Sequence, residues 1–192
     1  LTCLASKLSN KQVIWVEDRL EHLTAASSAT GRLTKLRASI NEKGLIEALD
    51  YDQIDDVGAY PRAPEPASLY RMHGNLSGAY KVKNIRCRNR VVLTNKTPSG
   101  LNRGFGGPQH YFALERLVHQ IAVELNLNVL DVIKVNLLEK KQFPYKSPSG
   151  ALLDSGDFQK LVRKVVKSST YKNILKKKIN AIKNGKIYGI GY

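Results

Sequence analysis

The residues best equipped for chemistry lie together in mid-chain: Asn102, Arg103, Gly104, Phe105, Gly106, Gly107, Pro108 and Gln109. Three glycines in four positions leave backbone N–H groups uncovered, and the residues that follow have helical periodicity. A loop that feeds a helix N-terminus presents uncommitted donors and a partial positive charge, a cradle for an anion or an oxygen-rich group. Arg103 adds a fixed positive charge and Phe105 a flat apolar surface. The spacing is not that of a Walker loop, because no Lys-Ser/Thr pair follows the glycines, and Gly-x-Gly-x-x-Gly is absent. By itself the stretch serves a structural turn as readily as a binding loop.

Other chemistry is sparse. Cys3 and Cys87 are far apart in sequence, whereas a zinc or iron–sulfur site takes about four ligands. They are expected to be buried or partly buried free thiols in a reducing compartment, which places the protein in the cytoplasm. His22, His73, His110 and His119 show no metal-ligand pairing and read as surface or packing residues. Net charge is +15, and residues 158–186 hold ten Lys/Arg with no acid. Such a block invites a basic nucleic-acid-binding module as a reading. Against it, Leu161, Val162, Val165 and Val166, then Tyr171, Ile174, Leu175, Ile179 and Ile182, keep helical spacing. The lysines fall between these stripes as on a solvated face. Tyr171, the main aromatic there, lies on the apolar side, which leaves little for base stacking. No apolar run reaches the roughly 18 residues of a membrane span, and the start lacks the plan of a secretory signal.

The loop must be held by neighbouring elements. Residues 1–10 read as the end of a helix and 12–16 as a short buried strand. From 32 to 40 the chain alternates: Thr34, Leu36, Ala38 and Ile40 point one way, Leu33, Lys35, Arg37 and Ser39 the other. Asn41, Glu42, Lys43 and Gly44 make a turn, and 45–54 returns, so 32–55 is a β-hairpin. Residues 82–94 read as another strand. Leu114, Leu117, Val118, Ile121 and Leu125 mark a helix over 109–125, and Pro108 just ahead suits its start. A short helix near 129–137, a turn-rich crossover over 143–156 and basic helices at 157–168 and 170–184 follow. Residues 187–192 look ready to begin a strand. The fold class is α+β: hairpins and a mixed sheet with helices on one side.

Taken with its neighbours, the loop resembles the molybdenum hydroxylases, the family of xanthine dehydrogenase, aldehyde oxidase and carbon monoxide dehydrogenase-like enzymes. Their molybdopterin-binding large subunit carries Arg-Gly-Phe/Tyr-Gly-x-Pro-Gln before a long helix, similar to Arg103 through Gln109 here. The likeness continues in order. Val16, Glu17, Asp18, Arg19, Leu20, Glu21 and His22 are similar to the segment after the family's first glycine loop. Asp50, Tyr51 and Asp52, then Asp55, Asp56, Val57, Gly58, Ala59 and Tyr60, resemble its hairpin exit. Leu93 through Gly100 resembles the lead-in to the active-site loop. Ser147, Pro148, Ser149 and Gly150, then Asp154 through Phe158, resemble the approach to the second molybdopterin-binding domain.

The resemblance implies an internal fragment of that subunit: residues 1–140 are part of the first molybdopterin-binding domain, and 141–192 are the crossover and the start of the second. It implies an oxidoreductase that hydroxylates an aldehyde or an aromatic heterocycle with water as oxygen source. The cofactor would be molybdenum-molybdopterin, with [2Fe-2S] clusters and FAD on partner subunits or domains. The amides of Arg103, Gly104, Phe105 and Gly106 would face the metal's ligands and the pterin, while Phe105 and Arg71 would meet the small-molecule substrate. No residue here is a direct metal ligand, and no catalytic base is assignable, because the family's glutamate lies beyond Tyr192. Asn102 stands where purine oxidisers have Phe, against a xanthine pocket. Gly104 stands where carbon monoxide oxidisers have the Cys that holds copper, against that reaction. The chain alone is expected to be inactive and to need the remaining parts of the subunit. Uncovered apolar faces would then invite self-association. A competing reading is a non-catalytic structural fragment that packs with sister fragments.

Overall fold

The computed structural model describes residues 1–29, 31–63 and 72–192. Two helices, α1 (Thr2–Ser9) and α2 (Arg19–Ala25), precede the sheet. The predicted hairpin forms from β1 (Gly31–Ile40) and β2 (Ile46–Asp56), antiparallel, with Arg32 opposite Asp55 and Arg37 opposite Asp50. Asn41 closes the turn, its side chain accepting from the amides of Lys43 and Leu45 at 3.0 Å each. β3 (Asn84–Val92) joins β2 in parallel, so the mixed sheet has the order β1-β2-β3. Then come α3 (Gly107–Glu124), α4 (Val129–Asn136), the short ribbon of β4 (Tyr145–Lys146) and β5 (Leu152–Leu153), α5 (Phe158–Lys167) and α6 (Ser169–Lys183).

Strand alternation sorts the side chains. Leu49, Tyr51, Gln53 and Asp55 of β2 are buried on the inner face, and Asp50, Asp52 and Asp56 lie on the outer one. The apolar stripe of α3, Leu114, Val118 and Ile121, closes over the inner face together with Ile46, Leu49, Val82 and Val132. Each such side chain contributes roughly 1.5–3 kcal/mol by leaving water. Asn136, buried at the end of α4, ties this layer to the hairpin turn. Its Nδ2 donates to the carbonyls of Gly44 and Val132, and its Oδ1 accepts from the Ile46 amide, all at 2.8 Å.

Several expectations need correction. Residues 12–16 form no strand, and Ile14, Trp15 and Val16 stand exposed. A strand needs a partner for its N–H and C=O groups, and none of the described strands pairs with this segment. Residues 187–192 form no strand either. The start of α2 went unpredicted although its signal is local: Asp18 and Glu21 make a reciprocal capping box. Cys3 and Cys87 are free, as expected, but both are exposed rather than buried. The basic helices form with their lysines outward. Their apolar stripe is only partly covered, and Leu161 and Val165 are more than half exposed. No described helix is long and apolar enough to cross a membrane.

Candidate cofactor-facing loop and the polar layer beneath it

The loop is carried on a backbone clamp. Residues 94–99 lie against the exit of β2: the Thr94 amide donates to the Gly58 carbonyl at 2.9 Å, Ala59 to Lys96 at 3.0 Å and Ser99 to Val57 at 3.0 Å. The approach is close enough that a Cβ on Gly58, at φ +76°, would sit 2.3 Å from the Thr97 carbonyl oxygen. Any other residue there would push the strand and the lead-in apart. From this clamp the chain enters the loop, and the loop runs into an 18-residue helix.

Within the loop Asn102 organises the backbone. Its Oδ1 accepts from the Arg103 amide at 2.8 Å, and its carbonyl accepts from the Phe105 amide at 2.9 Å. The Gly107 amide donates to the Gly104 carbonyl at 2.7 Å. Gly104 and Gly106 sit at φ +88° and +82°, left-handed conformations that β-carbon-bearing residues avoid. The four expected donors therefore narrow to two, because the amides of Gly104 and Gly106 make no hydrogen bond among the described residues. Arg103, Phe105 and Gly106 line a small cavity of about 160 Å³ with Asn102, Pro108 and Gln109. Arg71 falls outside the described residues. No cluster of His, Cys, Asp or Glu able to hold a metal occurs among those described.

Beneath the first turn of α3 lies a polar layer. Arg32 donates to Asp55 in a bidentate pair, Nε to Oδ1 at 2.6 Å and Nη2 to Oδ2 at 2.9 Å. Both side chains are almost wholly removed from solvent. Asn89 of β3 adds a third donor to Asp55 at 2.8 Å. Next to the pair is His110, fully buried on the inner side of α3. Burial, then the positive charge of Arg32 and the nearby His73, push its pKa down to about 4. Burial and then Arg32 also lower His73. Tyr51 is held above the ordinary phenol range by burial, and its hydroxyl donates to the Leu76 carbonyl at 2.8 Å.

The family described as the molybdopterin cofactor-binding domain matches residues 1–137. The carbon monoxide dehydrogenase large chain of Hydrogenophaga pseudoflava is 29% identical over 174 residues, covering 88% of this chain and 21% of the relative. The nicotine 6-hydroxylase large subunit of Paenarthrobacter nicotinovorans is 27% identical over 191 residues, 98% of this chain and 23% of the relative. The crystal structure of quinoline 2-oxidoreductase from Pseudomonas putida 86 superposes with a TM-score of 0.85 at 26% identity, over 96% of this chain and 24% of that one. This chain belongs to the molybdopterin cofactor-binding domain family. It spans about a quarter or less of the length of these relatives.

For a molybdopterin-binding chain, the fit rests on the two uncommitted glycine amides at a long helix's N-terminus, with Phe105 half-buried beside them. They suit an oxygen-rich, anionic group. The polar layer was not anticipated, although a signal for it exists. Arg32 shares the inward parity of Thr34, Leu36 and Ala38, and Asp55 that of Leu49 and Tyr51. Opposite charges facing each other at the buried parity of a hairpin mark a buried pair. His110 lies four residues before Leu114, on the apolar stripe.

Proposed function

We propose that this chain forms one wall of the molybdenum-cofactor site in an oxidoreductase that hydroxylates an aldehyde or an aromatic heterocycle carbon, with water supplying the oxygen. The observation that carries the reading is the loop: amides of Gly104 and Gly106 left without partners among the described residues, where an 18-residue helix begins. These amides would hold the oxygen-rich edge of the pyranopterin and its metal. Bound there, the group supplies the two-electron redox chemistry, which a protein side chain does not offer. Arg103 contributes positive charge at the rim. Phe105 offers its ring edge or face to the substrate, and Arg71 orients it. Residues 1–140 belong to the first cofactor-binding domain, and 141–192 lead into the second. The [2Fe-2S] clusters and FAD reside on partner subunits or domains, and the assembly works in the cytoplasm. Gly104 in place of a thiolate speaks against copper-dependent carbon monoxide oxidation, even with a carbon monoxide dehydrogenase chain among the relatives.

One observation favours the second reading, a piece whose role is packing: Leu4, Leu8, Ile14, Trp15, Val16 and Leu20 are all exposed. A surface of that kind calls for another polypeptide. One experiment separates the two. Molybdenum and pterin are measured in the purified chain and again after co-expression with the rest of the subunit. Cofactor only in the assembly supports the shared wall, and stoichiometric metal in the isolated chain overturns it. An assembly that binds cofactor equally well when Gly104 and Gly106 are both replaced by Ala leaves only the packing role. In the complete enzyme, Phe105→Ala is expected to lower turnover with molybdenum content unchanged; unaltered kinetics would remove Phe105 from the substrate site.

A further inference from the structure

His110 has a placement that neither the loop nor the core explains. Its ring is fully buried between two tyrosines, 5.6 Å from Tyr51 at 34° and 5.1 Å from Tyr111 at 65°. Neither ring nitrogen has a hydrogen-bond partner among the described residues. A neutral imidazole therefore carries an N–H without an acceptor, and a charged one would carry two. A phenyl ring would fill the same space without that cost, so the property peculiar to an imidazole here is that it can take a proton.

Most of the surroundings oppose that proton. From β1 the ring faces Arg32, whose charge is shared with Asp55 of β2. From the short turn His73–Asn75 it faces His73, whose own pKa is lowered by burial and by Arg32. The Asn75 backbone acts in the opposite sense, without reaching hydrogen-bond geometry. Tyr51 and Tyr111 offer ring surface, while Cys87 and Glu115 act on the Tyr51 phenol. The ring also sits in the first turn of α3, where the helix dipole disfavours a cation. The mechanical link to the loop is short. The His110 amide donates to the Gly106 carbonyl at 3.2 Å, and Gly106 is the residue from which α3 starts.

We propose that His110 is a positioning residue for loop 103–106, holding it in place only while the imidazole is neutral. Protonation expels the ring from between the tyrosines, the first turn of α3 frays, and the carbonyl of Gly106 loses its anchor. The two glycine amides then lose their fixed placement. The consequence for cofactor binding rests on the function proposed above, but the structural claim does not.

The test reads the loop directly. Amide hydrogen exchange of Phe105, Gly107 and His110, whose N–H groups are hydrogen-bonded within the loop and the first turn of α3, is followed in the full chain from pH 7.5 to 5, corrected for intrinsic rates. An opened loop with an ordinary imidazole competes with a folded one that protonates near pH 4, so protection is expected to fall more than about tenfold by pH 5. Amides of β1 and β2, which open only with the whole molecule, should stay far better protected than the loop at every pH. His110→Phe keeps an aromatic ring in the slot and should make the loop's protection independent of pH. A wild-type loop that stays protected overturns the proposal, as does an equal loss in His110→Phe. Where that variant fails to fold, the His110 ring resonances in the wild type decide. Titration near pH 6.5 without loss of loop protection also overturns it. Because no cofactor enters this measurement, its failure is distinct from failure of the metal-content experiment.

Discussion

On the outer face of the sheet, Asp50 accepts two bonds from Arg86, at 2.8 and 2.7 Å, and a third from Arg37 at 2.7 Å. Asp52 is shared between Arg88 and Arg90, and Asp56 between Thr94 and Lys96. All these cations are exposed. Their neighbourhood holds Asp50 and Asp56 down to about pKa 2, chiefly through bonds from Arg86 and from Lys96. On the inner face the same Arg–Asp chemistry recurs once among the described residues, in Arg32 and Asp55, with 2% and 0% of the side chains exposed. The outer ladder is a set of exchangeable partners in water, where losing one leaves others and the solvent. The inner pair has no solvent to fall back on, so its geometry must be complete: bidentate guanidinium, third donor from Asn89. A one-residue slip of β1 against β2 would turn Arg32 outward and leave Asp55 buried. The inner pair thus opposes slippage of the hairpin, whereas the outer ladder tolerates it.

The sharpest way to break the comparison is Asp55→Ala. It strips the buried Arg32 guanidinium of the Asp55 carboxylate and should cost about 3–5 kcal/mol of unfolding free energy, read from urea denaturation. Replacing both partners, Arg32→Met with Asp55→Leu, should recover much of that. A loss under about 1 kcal/mol for the single variant would make the inner pair no different from the ladder.

Acid comes next. An unfolded His110 takes its proton near pH 6.5 and the folded one only near 4. In that window the unfolded state binds more protons, so stability falls as the pH falls, by up to about 3 kcal/mol. His110→Phe should remove this step. The outer carboxylates respond in a different window. Their folded pKa values are depressed, so their contribution is intact above about pH 3.8 and is lost as the pH drops toward 2. A denaturation profile with a single step below pH 4 would contradict the assignment of the upper step to the inner layer.

The smallest effect is expected at Asp52→Asn. The unfolding midpoint should barely move in moderate salt, and the difference from wild type should vanish when salt is raised. A large, salt-insensitive loss would mean that the ladder behaves like the buried pair.

How much of this was readable beforehand depends on the range of the interaction. The hairpin was legible because period-two alternation from Leu33 to Ile40 and the turn at Asn41 and Gly44 are local signals. α3 was legible because Leu114, Val118 and Ile121 recur at helical spacing. The loop was legible as a composition and as a family likeness, but not as a geometry. Which of its amides Asn102 would take depended on its side-chain rotamer, for Arg103, and on the turn of the backbone, for Phe105. The strand expected at 12–16 failed because β-branched composition states a preference, while a strand also needs a partner.

The sequence by itself determined the β1–β2 hairpin and its inward parity, the helix that starts at the glycine loop, and membership in a cofactor-binding family. Those follow from backbone sterics and periodicity, which act within a few residues. Only the tertiary structure decided that β3 runs parallel to β2, that Arg32 and Asp55 meet without water, and that His110 enters the slot between Tyr51 and Tyr111. The physical reason is burial. A charge or an imidazole acquires its altered chemistry when distant parts of the chain exclude solvent from it, and no short stretch of sequence contains that fact.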